Sequence, residues 1–186
     1  ELNLAEFFAT NKMKYNAVPI ETNAEAQELY KAGRCDAYTT DASGLYATIS
    51  SFDNPDAHMV AAEIISKEPL GPVVRHGDDQ WADIVSWVLK AMLAGEEKGI
   101  TSKNVKKLAS QDNKDKEINR LLGKDPLQGL SKLGLSADWA VNVISQVGNY
   151  SETFERNLGM SSALKVARGM NALYRDGGLH YIPPIK

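Results

Sequence analysis

The chain has 186 residues, 43% hydrophobic and 24% charged, with a formal net charge of −3. That is enough for one ordinary soluble domain or two small ones, and the slight acidity argues against a broad nucleic-acid-binding surface. No apolar run approaches the roughly 20 residues that cross a bilayer as a helix, and the single cysteine, Cys35, excludes an intrachain disulfide. No signal peptide is visible. The chain opens on Glu1 rather than Met, so it reads as a processed product or an excised piece.

Asn3-Leu-Ala-Glu6 has the form of a capping box and predicts a helix to about Lys12. Tyr15 to Ile20 alternates weakly and predicts a strand, which Pro19 confines to an edge. Thr22-Asn-Ala-Glu25 repeats the capping pattern and opens a helix that Gly33 stops. A strand is expected over Cys35 to Thr40, then a helix from Ala42 to about Ser51 and a turn at Asn54-Pro55-Asp56. Met59 to Ile65 and Gly71 to Arg75 read as further strands, separated by the polar, Pro-interrupted Ser66–Leu70.

The strongest periodicity follows. Trp81, Ile84, Val85, Val88, Leu89 and Met92 recur at helical spacing, with Asp78 or Asp79 as cap and Gly95 or Gly99 as stop. Strands alternating with helices to this point predict a parallel α/β sheet. From Thr101 onward the signals are helical: Ser102–Ser110, Lys114–Leu122, a helix from Ser136 carrying Trp139, Val143, Ile144 and Val147, then Tyr150–Leu158 and Ala163–Tyr174. Gly177-Gly178 and Pro183-Pro184 mark an irregular tail. The run from Lys103 to Lys132 mixes charges as a solvated face does. The three tryptophans fall at helix-periodic positions suited to core or interdomain packing.

The residues that carry chemistry are few. His58, His76 and His180 have no metal-ligand spacing, so no metal site is expected. Ser43 lacks a nucleophile-elbow frame and Asp176-Gly-Gly178 lacks the surroundings of a phosphate loop. Arg75 at a strand end could pair with a carboxylate. Asp41 is the informative position. It ends a predicted strand where a helix begins, the place where open α/β sheets bind ligands. A carboxylate there can take charge-assisted hydrogen bonds from an ammonium group. It can equally serve only as the cap of the next helix.

Two segments together resemble a known family. Gly33-Arg-Cys-Asp-Ala-Tyr-Thr-Thr-Asp-Ala-Ser-Gly-Leu45 and Glu63-Ile-Ile-Ser-Lys-Glu-Pro-Leu-Gly-Pro-Val-Val-Arg-His-Gly-Asp-Asp-Gln-Trp81 resemble the periplasmic amino-acid-binding proteins of ABC importers, in the branch of general L-amino-acid-binding proteins. Asn119-Arg-Leu-Leu-Gly123, Gly148-Asn-Tyr150, Phe154-Glu-Arg-Asn157, Gly169-Met-Asn-Ala-Leu173 and Tyr181-Ile-Pro-Pro-Ile185 resemble that branch's C-terminal extension.

The resemblance implies an α/β, periplasmic-binding-protein-like fold of type II, present in part. Residues 1–65 would supply most of the second lobe, 66–100 the hinge and the return into the first lobe, and 101–186 the helical extension. Asp41 would receive the α-ammonium of an L-amino acid in the cleft between the lobes. The family's carboxylate-binding arginine, its Gly-Thr-Thr-type turn and a central strand of the second-lobe sheet have no counterpart in this chain. Weak amino-acid binding by the chain alone is therefore expected, together with a homodimer through exposed sheet edges. The implied protein is a non-catalytic receptor without cofactor, periplasmic, delivering amino acids to an ABC permease. The alternatives are a cyclohexadienyl-dehydratase-like enzyme on the same scaffold, which needs a cleft acid or base for which Asp41, Glu63 and Glu68 are the only candidates, none with a visible partner, and a sensory module.

Overall fold

The computed structural model describes residues 2–124 and 133–185, so the end of the lysine-rich run lies outside the described residues. The chain divides into two units, Glu1–Gly71 and Pro72–Lys186. In the first unit α1 spans Leu2–Thr10, α2 Asn23–Lys31 and α3 Ala42–Ser50, followed by a 3-10 turn at Pro55–Ala57. Thr22 caps α2 as expected, its Oγ1 accepting from the Glu25 amide at 3.2 Å. Gly33, at φ +67°, turns the chain out of that helix. Asn3 lies inside α1 instead of capping it, and its side-chain amide donates to Glu68 at 2.6 Å.

The expected α/β sheet of type II is not found. The described residues are helical or irregular, and the one β-bridge is isolated, between Leu173 and His180. None of residues 14–21, 35–40 and 59–74 takes part in a backbone–backbone hydrogen bond. The predicted strands are irregular chain without backbone hydrogen-bond partners among the described residues. Alternation in a sequence encodes a conformation and a face, whereas a ladder also needs a second backbone at bonding distance. Without a sheet there are no sheet edges among the described residues, so the expected route to a dimer lacks its structural basis there.

The second unit has a core. Its helices are α4 (Asp79–Glu97), α5 (Val105–Ser110), α6 (Lys116–Leu121), α7 (Trp139–Val147) and α8 (Tyr150–Asn157). Ala91 and Ala94 of α4 pack with Ile100, Val105, Leu121, Leu122, Ala140, Ile144 and, from the tail, Ile185. Asp78 caps α4 by accepting from the Trp81 amide at 3.1 Å. The periodic stripe of α4 is not its most buried part. Trp81 is 52% and Leu89 40% exposed, while Ala91, Leu93, Ala94 and Gly95 are buried. The reason is steric: α7 and α8 pack on α4, and a Cβ on Gly95 would lie 3.1 Å from Ile144 Cδ1 and 3.3 Å from Asn149 Cβ. Small residues let those helices approach. The tryptophans serve local packing: Trp139 lies against the core, and Trp87 sits under the Lys90 ammonium at 4.7 Å.

Two polar knots tie the helices of this unit. Asn149 and Glu152 form a reciprocal capping box at the start of α8. Asn149 also donates to the Ile100 carbonyl at 2.8 Å, and Glu152 accepts from the Ser102 hydroxyl at 2.7 Å and the Ser102 amide at 2.9 Å. At the other end, the Ile185 amide donates to Glu117 at 2.9 Å and its carbonyl accepts from Arg120 Nε at 2.6 Å. Lys98 holds Glu117 at 2.6 Å and Asp115 at 3.0 Å. The helix expected over Ala163–Tyr174 resolves into two 3-10 turns, Gly169–Asn171 and Tyr174–Asp176. Lys165 (φ +50°) and Gly169 (φ +47°) adopt left-handed backbone that no α-helix continues through.

Candidate functional site

Asp41 is the residue immediately before α3, with φ −53° and ψ 139°, and its carbonyl accepts the Leu45 amide at 2.9 Å to start the helix. It therefore occupies the cap position. Its side chain makes no capping hydrogen bond and is exposed. A carboxylate at a helix N-terminus is favoured by the backbone dipoles whether or not it caps.

The helix that Asp41 opens is tied to α2. Gln27 Nε2 donates to Thr48 Oγ1 at 3.3 Å, which joins α2 to α3. The Tyr30 hydroxyl meets His58 Nδ1 at 2.8 Å, and the Tyr30 ring lies 6.2 Å from Phe52, 5.5 Å from His58 and 6.5 Å from Tyr38. The Tyr38 hydroxyl donates to Asn23 Oδ1. This aromatic group fixes the segment that leads into Asp41, and nothing in the spacing of Tyr30, Tyr38, Phe52 and His58 announces it.

The other candidates scatter. Ser43 is exposed in the first turn of α3, Arg75 and His76 are exposed in the second unit, and Cys35 is a half-buried free thiol. Glu63 is exposed, and Glu68 accepts from Asn3. Among the described residues no three potential metal ligands gather. No described helix is long and apolar enough to cross a membrane.

Two of the cavities among the described residues are well defined, and Asp41 lines neither. One, of about 480 Å³, lies within the first unit between α1 and Ile65–Glu68, lined by Asn3, Glu6, Phe7 and Asn11 among others. The second, of about 640 Å³, lies within the second unit and is lined by Glu96, Arg168, Gly169, Met170, Asp176 and Gly177. Its wall is a pair missed in the sequence: Arg168 donates to both oxygens of Glu96, at 2.9 and 3.1 Å, across a separation in the chain that no local pattern reveals.

No family model matches the chain. Individual relatives do. The general L-amino acid-binding periplasmic protein AapJ of Rhizobium johnstonii is 54% identical over 100% of this chain and 54% of its own length. The glutamate/glutamine/aspartate/asparagine-binding protein BztA of Rhodobacter capsulatus is 48% identical, again over the whole chain and 54% of the relative. Among solved structures, an ABC transporter/periplasmic binding protein from Brucella ovis with glutathione bound superposes at a TM-score of 0.89 and 50% identity, over 100% of this chain and 57% of that one. The chain thus spans about half the length of the relatives it matches. Over that span, from end to end and with about half of all positions identical, it is similar to proteins named for periplasmic amino-acid binding and to an ABC transporter/periplasmic binding protein.

Proposed function

We propose that the protein is a periplasmic, non-catalytic solute receptor that captures an L-amino acid, or a compound carrying the same α-amino-acid head, and delivers it to an ABC permease. The carrying observation is the identity of 48–54% along the whole chain to proteins named for amino-acid binding. The ligand class follows from what those names have in common. Glutamate, glutamine, aspartate and asparagine share an α-ammonium and an α-carboxylate, and glutathione presents the same head on its γ-glutamyl end.

Within this reading Asp41 takes the ammonium. Its exposure and its missing capping bond support the role, since a carboxylate already spent on a helix start would have less to offer. Residues 1–65 and 101–186 belong to different parts of the receptor, and the segment between carries the hinge. The division of the chain between Gly71 and Pro72 supports a pivot there. Gly71 has open space where a Cβ would stand, so Gly71→Val tests the pivot without a local clash.

The test is calorimetry on the full-length receptor with L-glutamate, L-glutamine and glutathione. A charged hydrogen bond is worth roughly 1.5–3 kcal/mol, so Asp41→Asn should weaken the preferred ligand about 10- to 150-fold. Gly71→Val should change affinity while leaving the melting temperature in place. Binding unaltered by Asp41→Asn removes the ammonium role. Binding of none of the three ligands removes the receptor reading.

A further inference from the structure

The segment after α8 folds back on itself and is pinned by one histidine. The His180 amide donates to the Ala172 carbonyl at 3.1 Å, and its own carbonyl accepts from the Tyr174 amide at 2.9 Å. His180 forms the isolated bridge with Leu173, a side chain only 1% exposed. The imidazole meets the Tyr150 ring edge-on, with centroids 4.7 Å apart. Its Nε2 is buried and has no hydrogen-bond partner among the described residues.

Among the described residues the charged and titratable neighbours are Arg168, Glu96 and Tyr150. Arg168, on the segment itself, lays its guanidinium over the same Tyr150 ring at 5.4 Å and over Phe154 at 5.1 Å. Glu96 reaches in from α4, and Tyr150 belongs to α8. Glu96 is the only carboxylate of the three, and the guanidinium already occupies it at 2.9 Å. A proton added at Nε2 would place a second cation beside Arg168 with no free acceptor to receive it. Burying such a charge unpaired is costly.

We propose that His180 is an acid-operated catch: protonation of its buried nitrogen releases residues 169–181 from α4 and α8, while the core built on Ile144 and Leu121 stays folded. Burial first, and then the Arg168 charge, hold the imidazole below its ordinary value of 6.5, with Glu96 opposing them. The folded segment therefore binds fewer protons than the released one. Its attachment is at full strength above about pH 6.5 and weakens as the pH falls through and below that value. Release would uncover Leu173 and separate the tail turns from the Glu96–Arg168 cavity.

Hydrogen exchange on the whole chain between pH 7.5 and 5.0, corrected for intrinsic exchange rates, tests this. Protection at the amides of Tyr174, Gly178 and His180 should fall by up to tenfold per pH unit, while that of Leu122 and Gly148 holds. His180→Phe keeps the contact with Tyr150 and cannot gain a proton, so its profile should be flat; His180→Gln serves as a second variant. Three results overturn the proposal. Protection at the three amides could stay constant with pH, it could fall equally in the variants, or it could fall in step with the core. Should neither variant fold, an NMR titration of the wild-type imidazole decides: a midpoint at or above 6.5 also overturns it.

Discussion

Among the described residues of Glu1–Gly71 the only buried one is Thr48, whereas Pro72–Lys186 encloses Ile100, Val105, Ile144 and Leu173 at 1% exposure or less. Both units are built largely of helices and turns. The first is held by side-chain pairs, Tyr30 with His58, Gln27 with Thr48 and Asn3 with Glu68. The second is held by removing aliphatic carbon from water. Each polar pair is worth about 0.5–1.5 kcal/mol, while each buried aliphatic side chain is worth about 1.5–3 kcal/mol. Helix formation alone therefore does not make a unit self-sufficient. The first unit presents the exposed Asp41 carboxylate on a lightly held scaffold, while the second encloses the buried aliphatic core.

The comparison breaks first at Ile144. Ile144→Ala should destabilise the second unit by about 2–5 kcal/mol, read by denaturant unfolding, because the side chain is fully enclosed and Gly95 packs directly on it. A loss under 1 kcal/mol would mean that the core does not carry the unit. Next comes Glu152→Gln, expected to cost about 1–3 kcal/mol by the same measurement, since one carboxylate receives the Ser102 hydroxyl, the Ser102 amide and the Asn149 amide. Burial alone would raise the Glu152 pKa, but these donors outweigh it and hold the carboxyl below its ordinary value of 4.5. The folded state thus releases its proton more readily than the unfolded one. Glu152's contribution is complete above about pH 4.5 and lost as the pH falls through the lowered value. An acid limb of the stability curve that persists unchanged in Glu152→Gln would contradict this. The smallest effect is expected at Tyr30→Phe, which deletes the 2.8 Å contact with His58 and leaves the ring stacking. About 0.5–1.5 kcal/mol is expected, seen as faster amide exchange in α2 with no change in the second unit's unfolding.

Much of this second unit is written locally. Asp78 before α4 and the Ser136–Trp139 start of α7 lie where the sequence points. The capping box at Asn149 and Glu152 carries the same local signature as Thr22 and Glu25. The partners of Glu152, Ile185 and Arg168 are beyond local reach, since Ser102, Glu117 and Glu96 meet them only after the chain has folded back. The strands failed for a different reason. Val18 and Ile20 have a conformational preference, but pairing is a property of two segments, and these found no second one. At Asp41 the position before a helix was legible; the absent capping bond was not, because cap geometry depends on a rotamer that residue types do not fix.

The anchoring of Ile185 has a consequence for how the molecule is made. Its side chain fills the same core as Ala91 and Ile100, and its amide and carbonyl are both taken up by α6. During vectorial synthesis, α4 through α8 can assemble no finished interior until residue 185 has emerged from the ribosome. Until then the apolar wall awaiting it stays open to chaperones. Completion of this unit therefore waits on a residue far along the chain from the helices whose core it fills.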